Sequence, residues 1–256
     1  MTAATWHVRR FGSLPSTNDW LLARAREGAP AGLVALAEHQ EAGRGRMGRR
    51  WEAPAGRCLL VSVLLRPVAP RTSLFACTAA VALAASDACR ELGGVEPAVK
   101  WPNDLVIGEE KVAGILAESD ASAPGGRSGS VAVVAGIGCN VDWEGPPGIR
   151  ATSLNAHAAS PVARDELLEV MLDRLGARQA LLDTEEGRRE TVAELRARCV
   201  TLGRRVRVEM PDGREVVGDA SALEDDGRLA VSSAGRDVVV AAGDVVHLRA
   251  AAPVPE

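Results

Sequence analysis

Four arginines and three glycines fall within eight consecutive positions, Gly43-Arg44-Gly45-Arg46-Met47-Gly48-Arg49-Arg50, with Trp51 directly after them. Glycines let backbone amides come close to a bound molecule, and guanidinium groups supply charge-assisted donors for carboxylate or phosphate. The segment points to an anion site; a solvated, arginine-rich surface turn is the alternative. Bare guanidinium groups repel one another, so the loop is expected to lack fixed structure until an anion arrives. Lys100-Trp101-Pro102-Asn103-Asp104-Leu105 sets an amide and a carboxylate side by side after a strand-breaking Trp-Pro, or simply starts a hairpin. Lys111 opens the otherwise apolar run Val112 to Ala117, where it either snorkels to water or is held for a buried anion. Gly136-Ile137-Gly138-Cys139-Asn140 ends a buried strand with two glycines and an amide, suiting either a flat ligand or a β-bulge. Ser16-Thr17-Asn18 caps a helix or rings a small polar ligand.

Composition sharpens these candidates. Of 30 basic side chains only two are lysines, Lys100 and Lys111. A lysine kept amid so many arginines marks a place where a compact point charge serves better than a planar fork. Three of the four asparagines, Asn18, Asn103 and Asn140, also lie in the segments above. A net charge of −4 gives no overall attraction for nucleic acid or anionic membrane, so any anion site is local. The five cysteines are widely spaced in apolar surroundings with no CxxC pair, which reads as buried free thiols rather than a disulfide framework or metal site. Thr5 to Phe11 mixes charge with Trp, unlike a signal peptide. The longest apolar stretch, around Ala79 to Ala85, falls short of a bilayer span. A soluble, cytoplasmic protein with no membrane partner is expected.

The elements that must position these residues follow from periodicity and punctuation. Leu14 to Glu27 reads as a helix, Leu33 to Ala37 and Cys58 to Leu65 as strands, and Thr72 to Leu92 as a long Ala-rich helix. Thr72 or Ser73 caps that helix, and Gly93-Gly94 stops it. A hairpin joins Asp104 to Ile107 with Lys111 to Glu118 through Gly108-Glu109-Glu110, and Val131 to Gly136 is a buried strand. Asp142 to Ser160 looks irregular and mobile. Arg164 to Leu182 and Arg188 to Cys199 are helical, and after Leu202 five short β-runs suggest a small barrel.

These segments, in this order, resemble the biotin–protein ligase family, in the form lacking an amino-terminal DNA-binding domain. The resemblance runs closely from Ser13 to Asn140 and extends to the β-rich tail. Gly-Arg-Gly-Arg-x-Gly-Arg, Lys-Trp-Pro-Asn-Asp, Lys-Val-Ala-Gly-Ile-Leu and Gly-Ile-Gly-x-Asn are jointly specific. The resemblance implies an α+β fold. A catalytic domain over residues 1–202, a mixed β-sheet with helices packed against it as in class II aminoacyl-tRNA synthetases, would precede an SH3-like β-barrel over 203–256. It also implies ATP-dependent activation of biotin to biotinyl-5′-AMP, with Mg²⁺ assisting. Transfer would follow to a lysine of a biotin carboxyl carrier protein.

By the same resemblance Ser16, Thr17, Asn18 and Gln40 would bind the fused rings of biotin. Gly43, Arg44, Gly45 and Arg46 would close over its chain and carboxylate, excluding water. Lys111, with Gly114 nearby, would sit where the carboxylate meets the α-phosphate. Arg46, Arg49, Trp51, Asn103, Lys111 and Asn140 would contact ATP or the adenylate, and Trp143 is a candidate for stacking on adenine. Lys111, Arg46 and Asp104 are the catalytic candidates, Asp104 orienting or deprotonating the carrier's amine. No residue is assigned as a protein ligand to a metal. Met47 stands where relatives often carry a basic or polar residue, and Cys139 where they carry an aliphatic one. A lipoate–protein ligase or octanoyl transferase is the nearest alternative. A biotin carrier lacks support because neither lysine has methionine neighbours, and a nucleic-acid binder because no aromatic stacking platform accompanies the arginine loop. Only about a dozen residues precede the first helix, too few for a DNA-binding module.

Overall fold

The apolar runs between His7 and Asn140 assemble into one mixed sheet. The computed structural model describes residues 5–68, 74–126, 128–241 and 243–248. Its first seven strands are β1 (His7–Leu14), β2 (Leu33–Gln40), β3 (Cys58–Leu65), β4 (Ala98–Lys100), β5 (Asp104–Ile107), β6 (Glu110–Asp120) and β7 (Ala132–Asn140). They lie in the order β1-β2-β3-β7-β6-β5-β4, with β1 parallel to β2 and the other neighbours antiparallel.

Helix α1 (Thr17–Arg26) packs on one face of this sheet, against β2, β3, β6 and β7. On the other face α2 (Leu74–Gly93) lies against β5, β6 and β7, flanked by α3 (Arg164–Gln179) and α4 (Glu185–Ala197). Alanines along α2 are almost wholly buried, so the helix approaches the sheet closely and forms the centre of the main core. Alternate strand residues serve the two faces. Leu59, Val61, Val63, Ile137 and Cys139 join the α2 core, whereas Leu64 and Val134 join a smaller cluster under α1.

Several sequence expectations need correction. Leu14 ends β1, an edge strand rich in charge that was not anticipated, and the helix begins at Thr17. Ser16 caps it, with its Oγ accepting from the Asp19 amide at 3.3 Å. β7 runs on through Gly138 to Asn140, so both glycines sit inside the strand. The helix from Arg164 ends at Gln179 and tightens into a 3₁₀ turn over Ala180–Asp183, and α4 starts at Glu185 under a Thr184 cap. The expected caps Thr72 and Ser73 lie outside the described residues. The segment 142–160 has no helix or strand, yet it is fastened rather than loose. Thr152 N donates to Lys111 O at 2.9 Å, Leu154 N donates to Asn140 O at 2.8 Å, and Thr152, Ser153 and Leu154 are buried.

The chain after Leu202 forms a separate five-stranded antiparallel sheet of β8 (Arg205–Glu209), β9 (Glu215–Leu223), β10 (Leu229–Ser233), β11 (Arg236–Val240) and β12 (Asp244–His247). Its order is β11-β10-β9-β8-β12. Buried Trp101 fastens it to the Lys-Trp-Pro-Asn-Asp segment by donating its indole N–H to Gly227 O at 2.8 Å, while its backbone N–H goes to Thr201 Oγ1, just before the sheet, at 3.0 Å. Gly227 has φ +87°, and a Cβ there would lie 2.0 Å from the Phe75 ring, so only glycine fits the turn. His247 Nε2 lies 3.2 Å from Thr201 Oγ1, and Arg204 donates to His247 Nδ1 at 3.2 Å. Burial, then the nearby Lys100 and Arg204, push His247 down to about 4, so it joins these groups as a neutral imidazole.

One buried charge ties the three helices of the α2 face together. Asp87 of α2 accepts from Arg178 and Arg198 at 2.7 Å each, and both arginines also reach Glu194 of α4. Burial opposes the charge, but the two arginines outweigh it and hold Asp87 below the usual carboxylate range. Removing one member of such a group leaves the others uncompensated. Asp87→Asn is expected to lower the urea-derived unfolding free energy at neutral pH by about 3 kcal/mol. Because the folded-state pKa is depressed, that contribution is present above the unfolded carboxyl pKa of about 4 and fades as pH falls through the folded value. The gap between wild type and variant should therefore shrink in acid; a gap that widens there would contradict this assignment.

Candidate functional site

A cavity of about 570 Å³ lies on the α1 side of the central sheet, within the usual size for a small-molecule site. Its floor is set by register. Gly114 of β6 pairs with Gly138 of β7, and Gly136 pairs with Leu116; residues two apart share a face, so three glycines leave that face without side chains. The Trp51 indole lies on this floor. A Cβ on Gly138 would fall 2.4 Å from its Cε2, and one on Gly114 would fall 3.1 Å from its Cζ3. The Lys111 ammonium stands 5.4 Å from the Trp51 ring centroid. Trp51 Nε1 is buried without a hydrogen-bond partner, a donor still open to an acceptor.

At one end, the start of α1 meets β2 and β3 in a polar cluster. Thr17 N donates to Gln40 Oε1 at 2.8 Å, and Asn18 Nδ2 donates to Leu116 O at 3.1 Å and Glu118 Oε2 at 2.8 Å. Fully buried Ser62 contacts both Thr17 and Asn18. Above it the glycine/arginine loop forms a bridge between Arg44 and Arg50 and a short 3₁₀ turn over Arg46–Gly48, with Met47 in the left-handed region at φ 55° and exposed to solvent. Carboxylates offset the repulsion among the loop's guanidinium groups in this conformation. Arg44 donates to Asp19 at 2.5 Å and to Glu118 at 2.7 Å. Burial works against the Arg44 charge, but Glu118 and Asp19 raise its pKa overall. Arg49 pairs with Asp244 of β12.

In the middle of the cavity, Lys111 Nζ pairs with Asp104 Oδ1 at 2.7 Å. Arg46 donates to Asn103 Oδ1 at a long 3.4 Å, and burial, with help from Arg49, lowers its pKa against the pull of Asp104. Asn103 is itself pinned to β6, donating to Ile115 O at 2.6 Å and accepting from Ile115 N at 2.8 Å through its backbone oxygen. Lys100 also lines the cavity and has no ion-pair partner among the described residues. Burial lowers its pKa, against Asp104 and Glu109. The far rim carries Trp143, Pro146, Ile149 and Ala151, and the C-terminal sheet closes it with Glu209, Asp244, Val245 and Val246.

Ser16, Thr17, Asn18, Gln40, Arg44, Gly45, Arg46, Arg49, Trp51, Asn103, Asp104, Lys111, Gly114 and Asn140 all line this one cavity. Gly43 does not. It is buried beneath the loop, where its carbonyl accepts from Trp51 N at 2.9 Å and a Cβ would fall 2.5 Å from Trp51 O; it positions Trp51 instead. Asn140 lines the cavity, but its amide donates to Thr152 O at 3.1 Å and its oxygen faces the Cys58 thiol, so it also anchors the irregular segment. Sequence reasoning missed Ser62, Glu118, Asp19 and Asp244. Ser62 is the sole hydroxyl in an apolar strand, a signal that was available; the carboxylates carry none before the fold is known.

The biotin/lipoate A/B protein ligase family profile matches residues 11–142, more than half of the chain. The chain belongs to the biotin/lipoate A/B protein ligase family. A profile described as the biotin protein ligase C terminal domain matches residues 201–248. Among curated relatives, a biotin–[acetyl-CoA-carboxylase] ligase of Mycobacterium tuberculosis is 42% identical over 241 residues, covering 91% of this chain and 86% of that protein. The bifunctional ligase/repressor BirA of Bacillus subtilis is 34% identical over 171 residues, 65% of this chain and 51% of that protein. The biotin protein ligase of Aquifex aeolicus, solved with biotin and ATP, superposes with a TM-score of 0.78 at 24% identity over 95% of this chain and 99% of that one. The α+β architecture is thus the fold of this ligase family.

The glycine floor is testable without any ligand. Gly138→Ala is expected to push the Trp51 indole off β7 and change the near-ultraviolet circular dichroism of the tryptophans, with little change in melting temperature. An unaltered aromatic spectrum would contradict the packing described.

Proposed function

We propose that the protein is a biotin–protein ligase. In this reading it joins the carboxylate of biotin to the α-phosphate of ATP, releases pyrophosphate, and transfers the biotinyl group from biotinyl-5′-AMP to a lysine of a carboxylase carrier domain. The observation that carries the reading is convergence: Arg44, Arg46, Lys100 and Lys111 meet at one cavity, one end of which is a hydrogen-bonding cluster for a small polar head.

The first step pushes two anions together, so cations fixed at the developing charge lower the barrier. Lys111 stands in mid-cavity between the polar cluster and the far rim, and takes that place, with Arg46 beside it. The incoming anions compete with Asp104 for Lys111. Asp104 is then free to orient the carrier's amine in the second step, as the amine attacks the acyl carbon and AMP leaves. Arg44, Gly45 and the polar residues Ser16, Thr17, Asn18 and Gln40 hold biotin. Arg49, Trp51, Asn103 and Asn140 face the nucleotide, with Trp143 at the adenine end. Lys100 is placed for the departing phosphates. Magnesium enters with the triphosphate as part of the substrate; among the described residues no group of three or more His, Cys, Asp or Glu is arranged to hold a metal.

The catalytic unit spans residues 1–202 and the C-terminal unit, an SH3-like barrel, residues 203–256, with Arg49–Asp244 and Trp101–Gly227 joining them. Among the described residues no helix is long and apolar enough to cross a membrane. A reaction that draws on ATP and a carboxylase carrier supports a cytoplasmic location in this reading.

Mass spectrometry of a carrier domain incubated with the protein, biotin and MgATP is expected to show one added biotinyl group. Lys111→Ala should slow biotin-dependent pyrophosphate release by roughly 10² to 10³-fold while its melting temperature stays near that of the wild type. Parallel assays with lipoate and octanoate separate the related ligases: faster release with either than with biotin would overturn the reading.

A further inference from the structure

The polar end of the cavity holds fewer hydrogens than its oxygen contacts require. Ser62 Oγ, fully buried on β3, lies 2.6 Å from Thr17 Oγ1 and 2.6 Å from Asn18 Oδ1. Thr17 Oγ1 lies 2.9 Å from Gln40 Oε1. Both amides have fixed orientations. Gln40 must turn its oxygen to Thr17, because that oxygen takes the Thr17 backbone N–H at 2.8 Å. Asn18 must turn its oxygen to Ser62, because its Nδ2 faces two acceptors, Leu116 O and Glu118 Oε2. The contacts Ser62–Asn18, Ser62–Thr17 and Thr17–Gln40 therefore need a proton each, and the Ser62 and Thr17 hydroxyls carry one apiece.

Whichever way the hydroxyls turn, one close oxygen pair faces lone pair to lone pair, which is costly in buried surroundings. The arrangement is built in. At Gly136, which pairs with Ser62, a Cβ would fall 2.2 Å from Asn18 Oδ1 and 2.9 Å from Ser62 Oγ, so the strand is stripped to make room for it. Both hydroxyl protons are used within the cluster, so Thr17 and Asn18, which line the cavity, turn acceptor lone pairs toward it, and an arriving N–H donor pairs with them.

We propose that Ser62 is a positioning residue which, through Thr17 and Asn18, makes this end of the cavity seek donors. It selects acyl substrates whose polar head carries N–H groups, as a cyclic urea does, over heads of sulfur or hydrocarbon. The proposal rests on the ligase reading above and names what sets its acyl specificity.

The test uses the full chain and pyrophosphate-release kinetics with biotin and with desthiobiotin, which keeps the cyclic urea and lacks the sulfur ring. Ser62→Ala is expected to raise KM for both acids by a common factor of about ten or more, with kcat and KM for ATP close to wild type. Ser62→Cys keeps a side chain of the same shape, replaces a strong donor by a larger, weak one, and carries the same expectation should the alanine variant fold poorly. Combined with Thr17→Val, Ser62→Ala should add little further loss, because both act on one relay. Unchanged KM for biotin, equal rises in KM for biotin and ATP, or strictly additive losses would overturn the proposal while leaving the ligase reading intact. A wild-type enzyme silent with biotin would overturn both.

Discussion

Cations crowded into one cavity repel each other, and the fold holds them there by giving most of them a carboxylate. Arg44 rests on Asp19 and Glu118, Lys111 on Asp104, Arg49 on Asp244 and Arg50 on Glu52. These carboxylates come from α1, β6, β5, β12 and the segment after the arginine loop, so the charge balance of the site uses most of the elements around it. Partly exposed pairs of this kind contribute little to stability. Their value lies in presenting cations already in position, so that an anionic reactant exchanges partners instead of assembling a site. Lys100 and Arg46, both lowered in pKa by burial, have no ion-pair partner among the described residues.

The sheet provides the second constraint. Glycines at 114, 136 and 138 remove side chains from the cavity face of β6 and β7, leaving depth for the Trp51 indole at one point and for the Ser62 cluster at another. The same strands keep large side chains on their other face, where α2 packs. The C-terminal sheet is fastened at Gly227 and at neutral His247, and it completes the rim with Asp244, Val245 and Val246. Its place in the molecule therefore depends on Trp101, the aromatic member of the same segment that supplies Asn103 and Asp104.

Much of this was readable in the sequence because close approach and localised charge leave compositional traces. Lys111 and Lys100 stood out against a background of arginine, and the paired glycines at 136 and 138 marked a bare strand face. Gly43 lies beneath the loop rather than on the cavity wall; a glycine needed for backbone packing looks the same in sequence as one needed for a ligand. Strand β1 was missed because an exposed edge strand lacks alternation: HVRRFGSL buries only its last residue. Asp19, Glu118 and Asp244 gave no sign, since their pairing depends on contacts between residues far apart in the chain. The same omission touches the arginine loop: repulsion among its guanidinium groups was weighed without the carboxylates that offset it.

A double-mutant cycle on biotinyl-5′-AMP binding tests the convergence of charge most directly, measured by titration calorimetry on wild type, Arg46→Ala, Lys111→Ala and the pair. Side chains that meet at one anion should give losses that fail to add, with a coupling of at least about 1 kcal/mol. Losses that add to within about 0.5 kcal/mol would show two independent sites, and the single-cavity account would be wrong.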